Sequence, residues 1–207
     1  MQIMNVMLVL LLSLFVNGQI PNPGQYRFTL TTNGVAQERY AVDKQVGKML
    51  RIWFSNIGDE EFGGNQDIYV RADNRTYFFD FMSQPPQCIA NRGGPYNEMN
   101  YWPKVVDAFG GESKTYDELI FDADCDGTCL TWTIEFNSTQ HYHYHYQDRL
   151  YVKKSERKPI KSVLKAYDMD TGKLVSTDVT RFIGWNTDKI PEYEFDYPMD
   201  LKTCYYA

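Results

Sequence analysis

The stretch 131–146, TWTIEFNSTQHYHYHY, admits few conformations. Trp132, Ile134 and Phe136 fall on even positions, and Thr131, Thr133 and Glu135 on odd ones. Beyond Asn137-Ser138-Thr139-Gln140, Tyr142, Tyr144 and Tyr146 alternate with His141, His143 and His145. Strict alternation of large apolar and polar residues marks a half-buried strand, and two such runs about a short polar link read as a hairpin. An even-numbered loop would mix the two faces. A loop of three or five residues predicts Phe136 opposite Tyr142, Ile134 opposite Tyr144 and Trp132 opposite Tyr146, because a one-residue slip exchanges the faces. Glu135 then lies beside His143 and Thr133 beside His145. The hairpin gets one aromatic wall and one wet wall.

Around it the chain reads as further short strands. The runs 26–30 and 35–42 flank Asn33-Gly34, a type I′ hairpin signal. Strands are expected at 49–54, 67–70 and 76–82, with 58–64 as an acidic turn and Pro85-Pro86 ending the pairing. The segment 91–101 reads as loop, and Pro103 opens a short helix that Gly110-Gly111 stops. Strands at 150–154, 160–167 and 173–182 follow, the last two joined by a turn at 168–172. Aromatics at 15% of residues suit this pattern. The expected fold is mainly β: a sheet-dominated sandwich or barrel with one or two short helices, stapled by disulfides.

Residues 1–18 carry no charged side chain, and the apolar run 6–16 is short for a bilayer span. They read as a secretory signal, cut before Gln19, leaving 19–207 as a single β domain outside the cell and not an integral membrane protein. An uncleaved anchor is the alternative. The net charge of −6 and the lack of basic runs argue against nucleic acid as a partner.

Four cysteines, Cys88, Cys125, Cys129 and Cys204, in a secreted chain point to two disulfides with three connectivities open. Asn74-Arg75-Thr76 and Asn137-Ser138-Thr139 fit the N-glycosylation pattern. Asp122, Asp124 and Asp126, followed by Gly127, match the opening of a calcium loop. No cofactor is expected beyond calcium at this loop. Thr133 at the twelfth position cannot chelate as Glu does, so an acidic turn is the simpler reading. Histidines two apart on one strand face stand about 7 Å apart, close enough to share a metal ion, but no third ligand is evident. No nucleophile elbow, zinc-protease motif or phosphate loop occurs, so the chain does not read as an enzyme.

Asp67-Ile68-Tyr69, Tyr77-Phe78-Phe79-Asp80 and Cys88, with the closing run Phe182-Ile183-Gly184-Trp185, Ile190-Pro191, Phe195, Pro198 and Cys204, resemble ependymin-related proteins. The resemblance covers most of 19–207. It implies a curved antiparallel half-barrel like that of bacterial lipoprotein carriers, with a hydrophobic pocket between two layers. It also implies frequent homodimers and an association with calcium and hydrophobic ligands. By position it pairs Cys88 with Cys204. The usual partner of the remaining family cysteine is missing, which suggests Cys125 bonded to Cys129. The function expected is binding of a hydrophobic small molecule, lipid or fatty acid, in a pocket lined by Trp132, Ile134, Phe136, Tyr142, Tyr144 and Tyr146. The alternative is an adhesion or matrix protein whose aromatic face is simply core.

Overall fold

A computed structural model describes residues 19–57, 60–92, 101–138 and 143–206, with side chains excluded over 55–63. The expected signal segment, Tyr142 and His141 lie outside the described residues. The twelve strands are β1 (Gln25–Thr32), β2 (Val35–Asp43), β3 (Lys48–Ile57), β4 (Glu60–Val70), β5 (Arg75–Asp80), β6 (Gln87–Arg92), β7 (Glu118–Asp122), β8 (Gly127–Ser138), β9 (Tyr144–Lys153), β10 (Lys158–Asp168), β11 (Leu174–Asn186) and β12 (Tyr205–Tyr206). One α-helix, α1 (Tyr101–Ala108), occurs among the described residues. The sheet is open and mainly antiparallel, as expected from the alternating runs, and β12 pairs parallel with β6.

By contacts the chain forms two compact units: Met1–Asn22 with Val105–Thr180, and Pro23–Lys104 with Arg181–Ala207. The second has the strand order β12-β6-β5-β4-β3-β2-β1-β11. Asn33 and Gly34 turn β1 into β2 at φ 52° and 86°, the positive values a type I′ turn needs. Register then sorts the side chains. Phe28 faces Tyr40, Tyr40 faces Arg51, and Arg51 faces Asp67 across β1 to β4 on one face. The opposite face carries Ala41, Leu50, Ile68, Val70, Tyr77, Phe79 and Ala90 in one buried cluster with Ile190, Phe195 and Cys204 of the C-terminal segment. Glu194, in the 3-10 turn Glu192–Phe195, meets Arg27 at 2.5 Å and Arg39 at 3.4 Å, fixing that segment over the sheet. Cys88 and Cys204, with Cα atoms 4.4 Å apart, complete the attachment, in the pairing the resemblance implied.

The first unit has the order β11-β10-β9-β8-β7. Leu130, Trp132, Leu150 and Val152 are buried in it, and the Trp132 indole donates to the Lys114 carbonyl at 3.2 Å. Cys125 and Cys129 pair at the turn between β7 and β8. Trp102, Val105, Val106 and Phe109, at helical spacing, are all buried. The helix begins two residues before Pro103, which is tolerated in a first turn because no intrahelical donor is needed there. Gly110 and Gly111, at φ 100° and 79°, end it, with the Gly111 N–H reaching the Val106 carbonyl at 2.8 Å.

Three expectations are corrected. The segment 58–64 is not all turn: β4 starts at Glu60, paired with Ile57. Asn91 is a strand residue, in β6. The edge strand β7, for which the sequence pattern predicted no strand, pairs with β8 from Glu118 to Asp122.

Candidate ligand-binding faces

The central hairpin forms, but in a register four residues longer than expected. Phe136 lies opposite Tyr146, Ile134 opposite Asp148 and Trp132 opposite Leu150. Glu135 faces Gln147, and Thr133 faces Arg149, rather than histidines. Parity is kept, because only an even shift leaves the apolar set on one face. β8 extends to Ser138, paired with Tyr144 at the start of β9, so the hairpin is centred two residues further along the chain than expected.

The even face grades from core to surface along the hairpin. Trp132 and Leu150 are wholly buried, while Phe136 is 46% exposed. Phe136 stacks on Tyr146 with ring centroids 5.1 Å apart, and Tyr144 meets Tyr146 edge-on at 6.2 Å. Of the six residues expected on this wall, five share the face and Tyr142 is outside the described residues. Asp148 stands in the same row, half-buried, accepting from the Ser162 hydroxyl at 2.8 Å. Burial pushes its pKa above the ordinary aspartate value, while the bonds from Ser162 and the Arg149 N–H only partly offset this. Sequence reading placed a tyrosine there instead of a carboxyl, because it centred the hairpin two residues too early.

The odd face holds a cleft of about 500 Å³, lined by Asn137, His145, Gln147, Tyr167, Asp168, Met169 and Gly172. Asn137, His145 and Tyr167 form one cross-strand row over β8, β9 and β10. The His145 Nδ1 lies 2.9 Å from Asn137 Oδ1, and its Nε2 is 3.8 Å from Glu135. The turn 168–172 shuts one end: Asp168 Oδ1 accepts from the Thr171 N–H and hydroxyl, each at 2.8 Å, and from the Asp170 N–H at 3.1 Å. Those bonds from Thr171 and Asp170 hold the Asp168 carboxyl below its usual range. The aromatic residues expected to line a pocket lie on the opposite face from this cleft.

The acidic tract folds as a turn whose carboxylates are taken by lysines. Asp122 accepts from the Asp124 N–H at 2.9 Å, and Lys161 Nζ sits 2.8 Å from Asp122 and 2.7 Å from Asp124. Asp126 instead turns to Lys153, at 2.6 Å. Burial lowers the Lys161 pKa, but its two carboxylates outweigh this and raise it overall. No group of three or more His, Cys, Asp or Glu able to hold a metal ion occurs among the described residues. The Lys161 ammonium thus lies between the Asp122 and Asp124 carboxylates. Asn74 and Asn137, the two expected glycosylation positions, are both exposed.

The second unit contains a polar network that sequence reading missed. Arg51 donates through Nε and Nη2 to Asp67 Oδ2 at 3.0 and 2.6 Å. Its guanidinium lies 4.0 Å over the Trp53 ring, whose indole donates to Glu38 at 2.7 Å. The Tyr40 hydroxyl donates to the same Glu38. Burial, reinforced by Glu38, drives the Tyr40 pKa far up, and burial also raises that of Asp67 despite Arg51. The signal was present: Arg51 interrupts an otherwise apolar strand, and Glu38, Tyr40, Arg51 and Trp53 have the parity of one face. Beside the network, Trp185 stacks on Tyr26 at 5.5 Å and on Phe28 at 5.3 Å, and Trp102 meets Trp185 edge-on at 4.8 Å.

No family model and no curated protein matches the chain. Among solved structures it is similar to an uncharacterized conserved protein from Thermus thermophilus, with TM-score 0.51 and 13% identity over 88% of this chain and 90% of that one. A LolA superfamily protein from Nitrosomonas europaea aligns over 90% of this chain and 96% of its own, with 11% identity and TM-score 0.29. The first likeness is one of fold alone, and the second is too distant to argue from.

Proposed function

We propose that the chain is a secreted glycoprotein of the ependymin-related kind that holds a hydrophobic small molecule, a lipid or fatty acid, against the even face of β8 and β9. The observation that carries this reading is the graded aromatic wall. Phe136, Tyr146 and Tyr144 stay partly open to solvent on the face whose other end, Trp132 and Leu150, is sealed core. Tyrosine suits such a place because its ring packs on alkyl chains while its hydroxyl keeps a polar partner. The two cysteine pairs fit an oxidising compartment, and no described helix is long and apolar enough to cross a membrane. The reading is of a binder, not an enzyme. Calcium, if it acts at all, has to displace Lys161 from Asp122 and Asp124.

One observation favours an adhesion or matrix role instead: Phe121, on the edge strand β7, is 82% exposed, with Leu119 beside it 45% exposed. Native mass spectrometry of protein purified from its own secretion separates the two. A carrier retains a lipid-sized mass adduct that organic extraction removes, whereas an adhesion protein flies at its bare glycoprotein mass.

A further inference from the structure

The cleft on the odd face of the hairpin is too polar for an alkyl chain and wrongly charged for an anion. Its lining includes Asp168, with Glu135 close to His145, and neither lysine nor arginine. Among the described residues it has no set of three convergent metal ligands. What remains is a row of hydrogen-bonding groups of mixed sense: the amides of Asn137 and Gln147, the imidazole of His145 and the carboxylate of Asp168. Beside them are two surfaces suited to C–H contacts, the Tyr167 ring and the Met169 side chain. Tyr167 stands 6.4 Å from the His145 ring. Hydroxyls that both donate and accept, on a ring with an apolar face, are the chemistry complementary to this set. All three hydrogen bonds from the 168–172 turn end on Asp168 Oδ1, so Oδ2 is left for such a hydroxyl.

We propose that this cleft binds a pyranose ring, with Tyr167 as the stacking surface and His145, Gln147 and Asp168 as its polar contacts. The sugar has two sources. Asn137 heads the triplet Asn137-Ser138-Thr139, is exposed, and sits at the rim of the cleft. Its Oδ1 is engaged by His145, which leaves Nδ2, the atom that carries an N-linked sugar, free of that bond. The first residue of a glycan on Asn137 therefore starts beside Tyr167. A free saccharide is the other source. The proposal stands apart from lipid binding, since it uses the opposite face of the strands.

The test uses the full disulfide-bonded chain in two forms, one made without N-glycosylation and one from a glycosylating host. Each is titrated with N-acetylglucosamine and its β1,4-linked dimer while the ring resonances of His145 and Tyr167 are followed. On the bare chain, millimolar sugar shifts both rings, and Tyr167→Ala or Gln147→Ala weakens binding at least fivefold with the unfolding midpoint unchanged. If the glycosylated chain already shows the shifted rings and responds no further, its own glycan fills the cleft. If it responds like the bare chain, the sugar comes from outside. Unshifted His145 and Tyr167 in the bare chain at tens of millimolar sugar, or shifts that survive both substitutions, overturn the proposal.

Discussion

Arg51 and Asp67 stand opposite each other on β3 and β4, joined by two hydrogen bonds to a single carboxylate oxygen, with side chains only 17% and 6% exposed. Such a pair is poor evidence of net stabilisation, because both charges are removed from water. Breaking it is another matter. Arg51→Met leaves a buried carboxylate unpaired and is expected to cost about 3–5 kcal/mol. The double variant Arg51→Met/Asp67→Leu should recover most of that loss. Urea unfolding of the three proteins measures both quantities, and a double variant as weak as the single one would show that Glu38, Trp53 and Tyr40 depend on the pair.

The two disulfides differ in what they constrain. Cys88 and Cys204 are separated by 116 residues, so their removal as a Ser/Ser pair should cost about 4–5 kcal/mol by the loop-entropy model. Cys125 and Cys129, four apart, close a loop worth about 2 kcal/mol on the same model. Losing the first bridge should also release the C-terminal segment, seen as faster hydrogen exchange around Ile190 to Cys204.

Local signals in the sequence are the ones the fold repeats. Asn33-Gly34 marked its hairpin because positive φ at two positions is a requirement of that turn itself. The even-face membership of Trp132 and Phe136 was legible because parity survives any register that keeps one face apolar. The register itself was not, since every even shift keeps the same parity and the alternation cannot choose among them. Strand β7 was missed because Glu118–Asp122, mostly exposed, lacks an apolar alternation and exists by pairing with β8. The calcium-like spacing of Asp122, Asp124 and Asp126 was real, but only the fold brings Lys161 to it, from 39 residues beyond Asp122 and 37 beyond Asp124. The cleft on the odd face joins β8, β9, β10 and a turn, so no single stretch announces it.

Asp148 gives an unusual pH response. Its folded pKa is raised, so the stability it contributes is fully present below the unfolded value near 3.8 and is lost as pH rises through the folded value. Asp148→Asn removes that loss. Unfolding free energies of parent and variant from pH 3 to pH 7 should therefore diverge upward in favour of the variant as pH increases. Parallel curves would mean that the carboxyl is no better off protonated in the fold.

Lys161 competes with calcium for Asp122 and Asp124. Calorimetry at millimolar calcium should show no heat from this turn in the parent protein. Lys161→Ala frees two carboxylates and should reveal weak binding, on the order of 10⁻³ M, the lower end for extracellular sites. Heat in the parent that disappears in Asp124→Ala would mean that the ion displaces the lysine.

The central claim is that the open end of the aromatic wall takes up a hydrophobic ligand. Phe136→Ala tests it most directly, because a side chain 46% exposed contributes little to the core and much to that surface. A fluorescent fatty acid titrated into the parent should bind, and the variant should bind it at least fivefold more weakly while losing no more than about 1–2 kcal/mol of stability. Equal uptake by parent and variant, or no uptake by the parent at all, would contradict the account.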